Sequence, residues 1–432
     1  MVTMPTWNSL TISNEEKTRD MRKHLLYLFA AALLTVACSG DDTAEAPSVG
    51  STEQVNFSAS VADEGDAVTR TPANAIESAT NEYFREKGFG VFGCYTGLRK
   101  FRESSVSPDF MYNEHVIWNT STHTWEYTPL KYWPSGEGDV DGTSGQLPHY
   151  VSFFAYAPYS DGDDKYPATN TAGYCIPSFS HQGEPGNPWV TYRLHTDVDK
   201  QVDLLCADPL LDQTKPDKAE RLQFQFNHAL ACVGDRVSID CSSAMRNELD
   251  GQVDGIDIKK VRVELTKLEI EYTLTSKARL VLWNGGEPNW ELIYSEDPVC
   301  TRTVKLVDAE APGAVPVYVY EKEYNVTPTT IQKGWNDKGI YYIPIEQGNH
   351  PQTAQVTIAY KKSTFDGDHW SEDDAVIEGT VSILLHNYSA AFEPGKHLYI
   401  NVSINDLTFT VTAAIADWTP GNGEDGENVE AI

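Results

Sequence analysis

Apolar side chains recur along this chain at every second position far more often than at helical spacing. Val55, Phe57, Ala59 and Val61 alternate with Asn56, Ser58 and Ser60; Val261, Val263 and Leu265 alternate with Arg262 and Glu264; Val356 and Ile358 flank Thr357. Successive side chains of an extended strand point to opposite faces, so each stretch predicts a half-buried strand. Turn-forming residues punctuate them, and 30 Gly with 23 Pro leave little room for long helices. Residues 75–87 alone read as a short one. An all-β protein with sandwich packing follows.

The clearest pattern lies near the C-terminus. Leu398, Ile400, Val402 and Ile404 point one way; after the turn-prone pair Asn405 and Asp406, so do Leu407, Phe409, Val411, Ala413 and Ile415. Thr408, Thr410 and Thr412 make the other face of the second strand, β-branched and tolerant of water. Two long strands joined in a hairpin are predicted. The tail over 421–432 is Gly-rich and acidic and reads as mobile. A polar, Pro-containing stretch, 207–220, suggests a domain boundary, with 241–255 a second candidate. The favoured division gives an N-terminal β-sandwich over 51–212 and a C-terminal one over 213–420.

The N-terminal region breaks this pattern. Arg22, Lys23 and His24 precede a charge-free run from Leu25 to Val36, then Ala37 and Cys38. A basic region, a short apolar run and a small residue at the cut make an export signal. At about 12 residues the run is too short to cross a bilayer, which takes roughly 20. Three fates are open to Cys38: lipid attachment, an ordinary cleaved signal, or a place in a core. The polar, small-residue sequence that follows, 38–54, reads as a tether and favours the first. The segment 21–37 resembles a bacterial lipoprotein signal, with Thr35 where Leu is commonest and Leu34 one step away. Asp41 and Asp42 just beyond the cysteine resemble surface-export signals of Bacteroidetes lipoproteins. Such a signal should open the chain, so residues 1–20 read as a mis-assigned start and Met21 as the true one.

Composition narrows the partners. The chain carries 33 basic against 63 acidic side chains, a net charge of −30. Residues 1–37 hold Lys17, Arg19, Arg22 and Lys23 against Glu15, Glu16 and Asp20, one net positive charge, so their removal leaves −31. A body this acidic is repelled by phosphate backbones, and nucleic acid is excluded as a partner. Roughly 390 mature residues, with 40% of the chain apolar, suffice for more than one core.

No catalytic constellation is present. The chain has no G-x-S-x-G elbow, no H-E-x-x-H, and no Walker or Rossmann glycine loop, so neither an enzyme nor a bound cofactor is expected. His228, within "FQFNHALACV", reads as a hydrogen-bonded core histidine. Cys94, Cys175, Cys206, Cys232, Cys241 and Cys300 are widely spaced, without C-x-x-C or paired histidines, which argues against structural zinc. Buried free thiols are the plainer reading, although an oxidising compartment permits disulfides. The acidic runs "SDGDDKY" (160–166) and "FDGDHWSEDD" (365–374) do not match a calcium loop and read as solvated, so no metal is expected. Ten Trp and 22 Tyr invite glycan stacking, but "KYWP" (131–134) and "FFAYAPY" (153–159) run through apolar positions and look internal.

An ordered set of short motifs carries a resemblance. The signal is followed by "VNFSASV", "TRTP", "KGFGVFGCY", "PLKYWP", "VSFFAYAPY", "DLLCA", "FQFNHALACV", "FEPGKHLYINVSI" and "VTAAIADWTPG". In this order, over about residues 51–420, they resemble the Bacteroidales fimbrillin family, the subunits of the type V pilus. The resemblance implies two transthyretin-like β-sandwich domains in tandem and export as an outer-membrane lipoprotein. It also implies cleavage after an N-terminal arginine by an arginine-specific protease, and polymerisation with other fimbrial subunits into an extracellular fimbrium. Arg70, in "DAVTRTPAN", matches the processing position; read without the family it is a solvated loop arginine. The strand lost on processing would carry Val55, Phe57, Ala59 and Val61. The strand that refills the groove would carry Leu407, Phe409, Val411, Ala413 and Ile415. Such a subunit can serve as shaft, anchor or tip, the last with a ligand on a host or bacterial surface. A surface glycan-binding lipoprotein is the alternative from another class.

Overall fold

The strand Tyr150–Ala157, "YVSFFAYA", shows how the chain builds its layers. Its side chains alternate between faces, and both faces are apolar. Val151, Phe153 and Ala155 join one core, with Phe57, Phe89 and Phe224; Phe154 and Tyr156 join a second, with Phe92, Cys94 and Cys206. A strand buried on both sides must lie centrally in its sheet, and this one pairs with Phe89–Gly97 on one side and with Leu205–Ala207 and Leu210–Gln213 on the other.

These relationships come from a computed structural model. It describes residues 53–62, 76, 78–101, 106–134, 148–162, 171–216, 220–242, 245, 260–293, 299–323, 329–330, 333–335, 339–345, 351–371, 376–388, 393–405, 408–417 and 427–428. All belong to one compact unit, Val49–Ile432. Almost all regular structure among them is β, in sheets of eight, six, six and four strands, as the alternating pattern requires. Cys38, Arg70 and Leu407 lie outside the described residues.

The eight-stranded sheet is N-terminal. Phe57–Val61 forms its edge, followed by Leu222–His228, Leu205–Ala207, Tyr150–Ala157, Phe89–Gly97, Met111–Asn119 and Thr124–Glu126. Leu222–His228 thus belongs with the N-terminal strands although it follows the expected boundary at 212. A second sheet also spans that division, since Trp189–Arg193 pairs antiparallel with Lys277–Val281. Hydrogen-bonded pairing therefore runs across the polar 207–220 stretch, which contributes Leu210–Gln213 to the N-terminal sheet. Polarity marked a turn there, and a turn is also what joins neighbouring strands of one sheet.

Lys260–Thr275 is the longest strand. Val261, Val263 and Leu265 are buried in alternation, then Leu268, Ile270, Tyr272 and Leu274. The one-residue shift falls at a bulge between Leu265 and Lys267 in the pairing with Thr353–Phe365. The helix expected over 75–87 is confined to Glu82–Lys87. Asn81 caps it, its side chain accepting from the Phe84 N–H at 3.1 Å.

The C-terminal hairpin forms as expected, from Lys396–Ile404 and Phe409–Asp417. Leu398 faces Ile415, Ile400 faces Ala413, and Val402 faces Val411 across it. Thr408, Thr410 and Thr412 are exposed, Ala413 is buried, and Phe409, Val411 and Ile415 are half-buried. The six cysteines downstream of Cys38 are free thiols, all buried but Cys300, which is half-buried. His228 is a core histidine, its Nδ1 3.0 Å from Asp203 Oδ2.

Candidate strand-exchange site

The edge strand Phe57–Val61 runs parallel to Leu222–His228, with Phe57 opposite Leu222 and Val61 opposite Phe226. Val55, Phe57 and Val61 are buried, while Ala59 is half-buried against the same core. Phe57 occupies an aromatic seat. Its ring centroid is 5.4 Å from that of Phe224, 5.5 Å from Phe153 and 5.7 Å from Tyr127. Burying Val55, Phe57 and Val61 at roughly 1.5–3 kcal/mol each is worth on the order of 5–9 kcal/mol before the strand's ordering entropy.

Polar contacts set the register. The Val55 N–H donates to the Lys131 carbonyl at 2.9 Å, and the Trp133 N–H to the Glu53 carbonyl at 3.0 Å. Tyr127 Oη donates to the Val55 carbonyl at 2.7 Å. Burial pushes the Tyr127 phenol up to about 12, so the hydroxyl stays a donor at neutral pH. Ser60 Oγ donates to Gln225 Oε1 at 2.8 Å, outside the apolar seat. Beyond 53–55, the ladder to Leu222–His228 is the strand's only backbone pairing among the described residues.

A second anchor lies farther along the chain. Ile76 is fully buried, and its N–H donates to the Asp203 carboxylate at 3.1 Å. Asp203 is itself buried and also faces His228. The chain is therefore held at 53–61 and again at 76, with Arg70 between the two in sequence. Periodicity found the first anchor. The second came only with the fold, because a lone isoleucine in a polar stretch gives no pattern.

The other expected strand, Phe409–Asp417, lies toward the far end of a six-stranded sheet. Among the described residues its outer edge is paired only at Ala414 and Ile415, by Glu427–Asn428. Phe409 rests on Gly379, where an added Cβ would come within 2.7 Å of its ring. Phe57–Val61 and Phe409–Asp417 belong to different sheets.

The glycan reading gains little from the aromatics. Trp133 and the 153–157 run are buried; Tyr132 is the one aromatic among the large exposed apolar side chains of the described residues. Among the described residues it makes no coplanar pair with another ring.

No family model matches the chain, and no curated protein is similar to it in sequence. Solved structures match it in fold. A fimbrial protein from Bacteroides vulgatus superposes with a TM-score of 0.56 at 21% identity, over 85% of this chain and 100% of its own. A protein from Bacteroides uniformis assigned to cell adhesion gives 0.38 at 12% identity, over 85% and 98%. A fimbrial assembly protein from Parabacteroides distasonis gives 0.30 at 10%, over 84% and 96%. The last two superpose too loosely to bear on the argument. The first shows that this chain has the fold of a Bacteroides fimbrial protein along the whole of that protein's length.

Proposed function

We propose that this chain is a structural subunit of a cell-surface fimbria, made as an outer-membrane lipoprotein on Cys38, cut after Arg70 and polymerised by β-strand exchange. It is a building block and not an enzyme. The observation that carries this reading is the double anchor. A cut at Arg70 separates the seated strand Phe57–Val61 from a body whose new N-terminal segment is gripped at Ile76 by Asp203. The strand is then held by non-covalent contacts alone, and its loss uncovers an apolar groove that invites another strand.

The hairpin supplies a fitting replacement. Leu407, Phe409, Val411, Ala413 and Ile415 repeat the period of Val55, Phe57, Ala59 and Val61, so the donor presents the same kind of apolar face to the groove. Groove and donor lie in different sheets, so the contact between subunits is head-to-tail, and such a contact repeated without closure makes a fibre. The partners are other fimbrial subunits, the arginine-specific protease and, before the cut, the membrane that holds the lipid. Two tandem sandwich domains and a shaft position fit this assembly; an anchor would keep its lipid and its first strand, and a tip would need no free donor.

The test is digestion of the purified precursor with an arginine-specific protease, followed by N-terminal sequencing and electron microscopy. The expected product begins at Thr71 and assembles into filaments. A stable product that begins there and stays monomeric at high concentration sinks the strand-exchange mechanism.

A further inference from the structure

The strand Ala231–Cys241 carries a distortion in the middle of the core. It pairs in parallel with Lys396–Ile404, and Cys232 stands directly opposite His397. The register then slips: Val233 pairs with Leu398, but the next partners are Val237 and Ile400. Gly234, at φ +73°, sits in the extra turn of chain, with the Tyr272 hydroxyl close over it, where an added Cβ would come within 2.1 Å. In a regular strand, side chains three apart face opposite ways. The bulge undoes this and brings Asp235 to the same side as Cys232.

The result is a buried cluster of three metal-binding groups. Cys232 Sγ, an Asp235 carboxylate oxygen and an imidazole nitrogen of His397 all lie within 4.8 Å of one another. The three residues are 0%, 4% and 5% exposed. Asp235 Oδ2 is 2.5 Å from His397 Nδ1, whereas Asp235 Oδ1 is buried without a hydrogen-bond partner.

We propose that Cys232, Asp235 and His397 form a binding site for a thiophilic divalent cation of the zinc class. Thiolate, carboxylate and imidazole are the donors that such an ion selects, and three of them leave one coordination position. Charge explains why the site can lie in an apolar core. One thiolate and one carboxylate cancel a divalent cation, so the filled site is neutral and escapes the penalty of a buried net charge. Binding breaks the Cys232 S–H bond, forms a metal–sulfur bond and releases that proton to solvent. The hydrogen between Asp235 Oδ2 and His397 Nδ1 leaves as the ion enters and the imidazole takes up one at Nε2 instead, a tautomer exchange through solvent that keeps the net release at the one thiol proton. The ion would then pin the first strand of the C-terminal hairpin to its neighbour.

Cobalt reports on the site directly. The full chain, stripped with chelator under reducing conditions, is titrated with Co2+ and then Zn2+, while absorption and melting temperature are followed. One equivalent of Co2+ should produce a near-ultraviolet thiolate-to-cobalt charge-transfer band that Zn2+ bleaches. Zn2+ in excess over its Kd should raise the melting temperature by a few degrees. Cys232→Ser and His397→Gln should lose both effects, and Cys206→Ser, a buried thiol elsewhere, should keep them. Should the first two variants fail to fold, the wild type alone decides. No band, or bound cobalt without sulfur charge transfer, overturns the proposal, as does an unchanged band in folded Cys232→Ser.

Discussion

Phe57 stacks on Phe224 with ring centroids 5.4 Å apart and planes 25° from parallel, which joins the edge strand face to face to its ladder neighbour Leu222–His228. Both rings lie in the N-terminal core, so the pair carries much of what holds the strand in place. Phe57→Ala should lower the stability of the uncut chain by about 3–5 kcal/mol, the usual cost of emptying a buried phenylalanine site. Urea unfolding measures it. The same substitution should speed hydrogen exchange at 57–61, because the ladder there is edge-on and the ring is its main anchor. A cost below about 1 kcal/mol would mean that the aromatic seat is not what retains the strand.

Processing and assembly separate in a truncation. Removing residues 407–432 should leave cleavage after Arg70 unchanged while preventing elongation, because the groove would open with no strand to fill it. Arg70→Ala should do the reverse, blocking the cut and keeping the precursor monomeric. Filaments from the truncated chain after cutting would show that the donor strand lies elsewhere.

The lipid claim rests on one atom. Cys38→Ser should abolish incorporation of labelled palmitate and leave uncut precursor in the inner membrane, since the thiol is the acceptor. Normal labelling of that variant would remove the lipoprotein reading and leave the fold untouched.

Alkali should weaken the fold in a defined window. Burial pushes the Cys94 and Cys175 thiols up to about 12 from an ordinary value of 9.0. Between those values the unfolded chain loses thiol protons that the folded chain keeps, so stability is intact below pH 9 and falls as pH rises toward 12. The slope is about 1.4 kcal/mol per pH unit for each such group. Urea midpoints at pH 8, 9, 10 and 11 should therefore be flat at first and then decline. In native protein at pH 8, iodoacetamide should reach the half-buried Cys300 well before Cys94 or Cys175. Equal labelling of all three would contradict their burial.

Much of the fold could be read in advance because a strand advertises itself locally. The side-chain period is two, and Phe57–Val61, Lys260–Thr275 and both strands of the C-terminal hairpin each repeat it. Asn405, the first residue of the expected turn, closes the strand Lys396–Ile404 with its N–H donating to the Thr408 carbonyl at 2.7 Å, while Asp406 lies outside the described residues. The helix was overestimated because a run of acceptable residues from 75 onward does not reveal that the first cap is Asn81. The division expected at 212 reads polarity, and polarity by itself does not tell a linker from a turn within a sheet; hydrogen-bonded pairing crosses that stretch.

The sequence by itself determined the all-β class, the strands around Phe57 and Phe409, the acidic character and the absence of any recognisable catalytic motif, because each is a property of neighbouring residues or of composition. Only the tertiary structure decided which strands are partners. It set Phe57–Val61 beside Leu222–His228, and it brought Ile76 to Asp203 and Cys232 to His397. Cys232 and Asp235 are close in the chain, yet strand geometry points them apart, and only the bulge at Gly234 turns them together. Long-range pairing depends on how whole sheets bury their faces, and no short stretch of sequence contains that information.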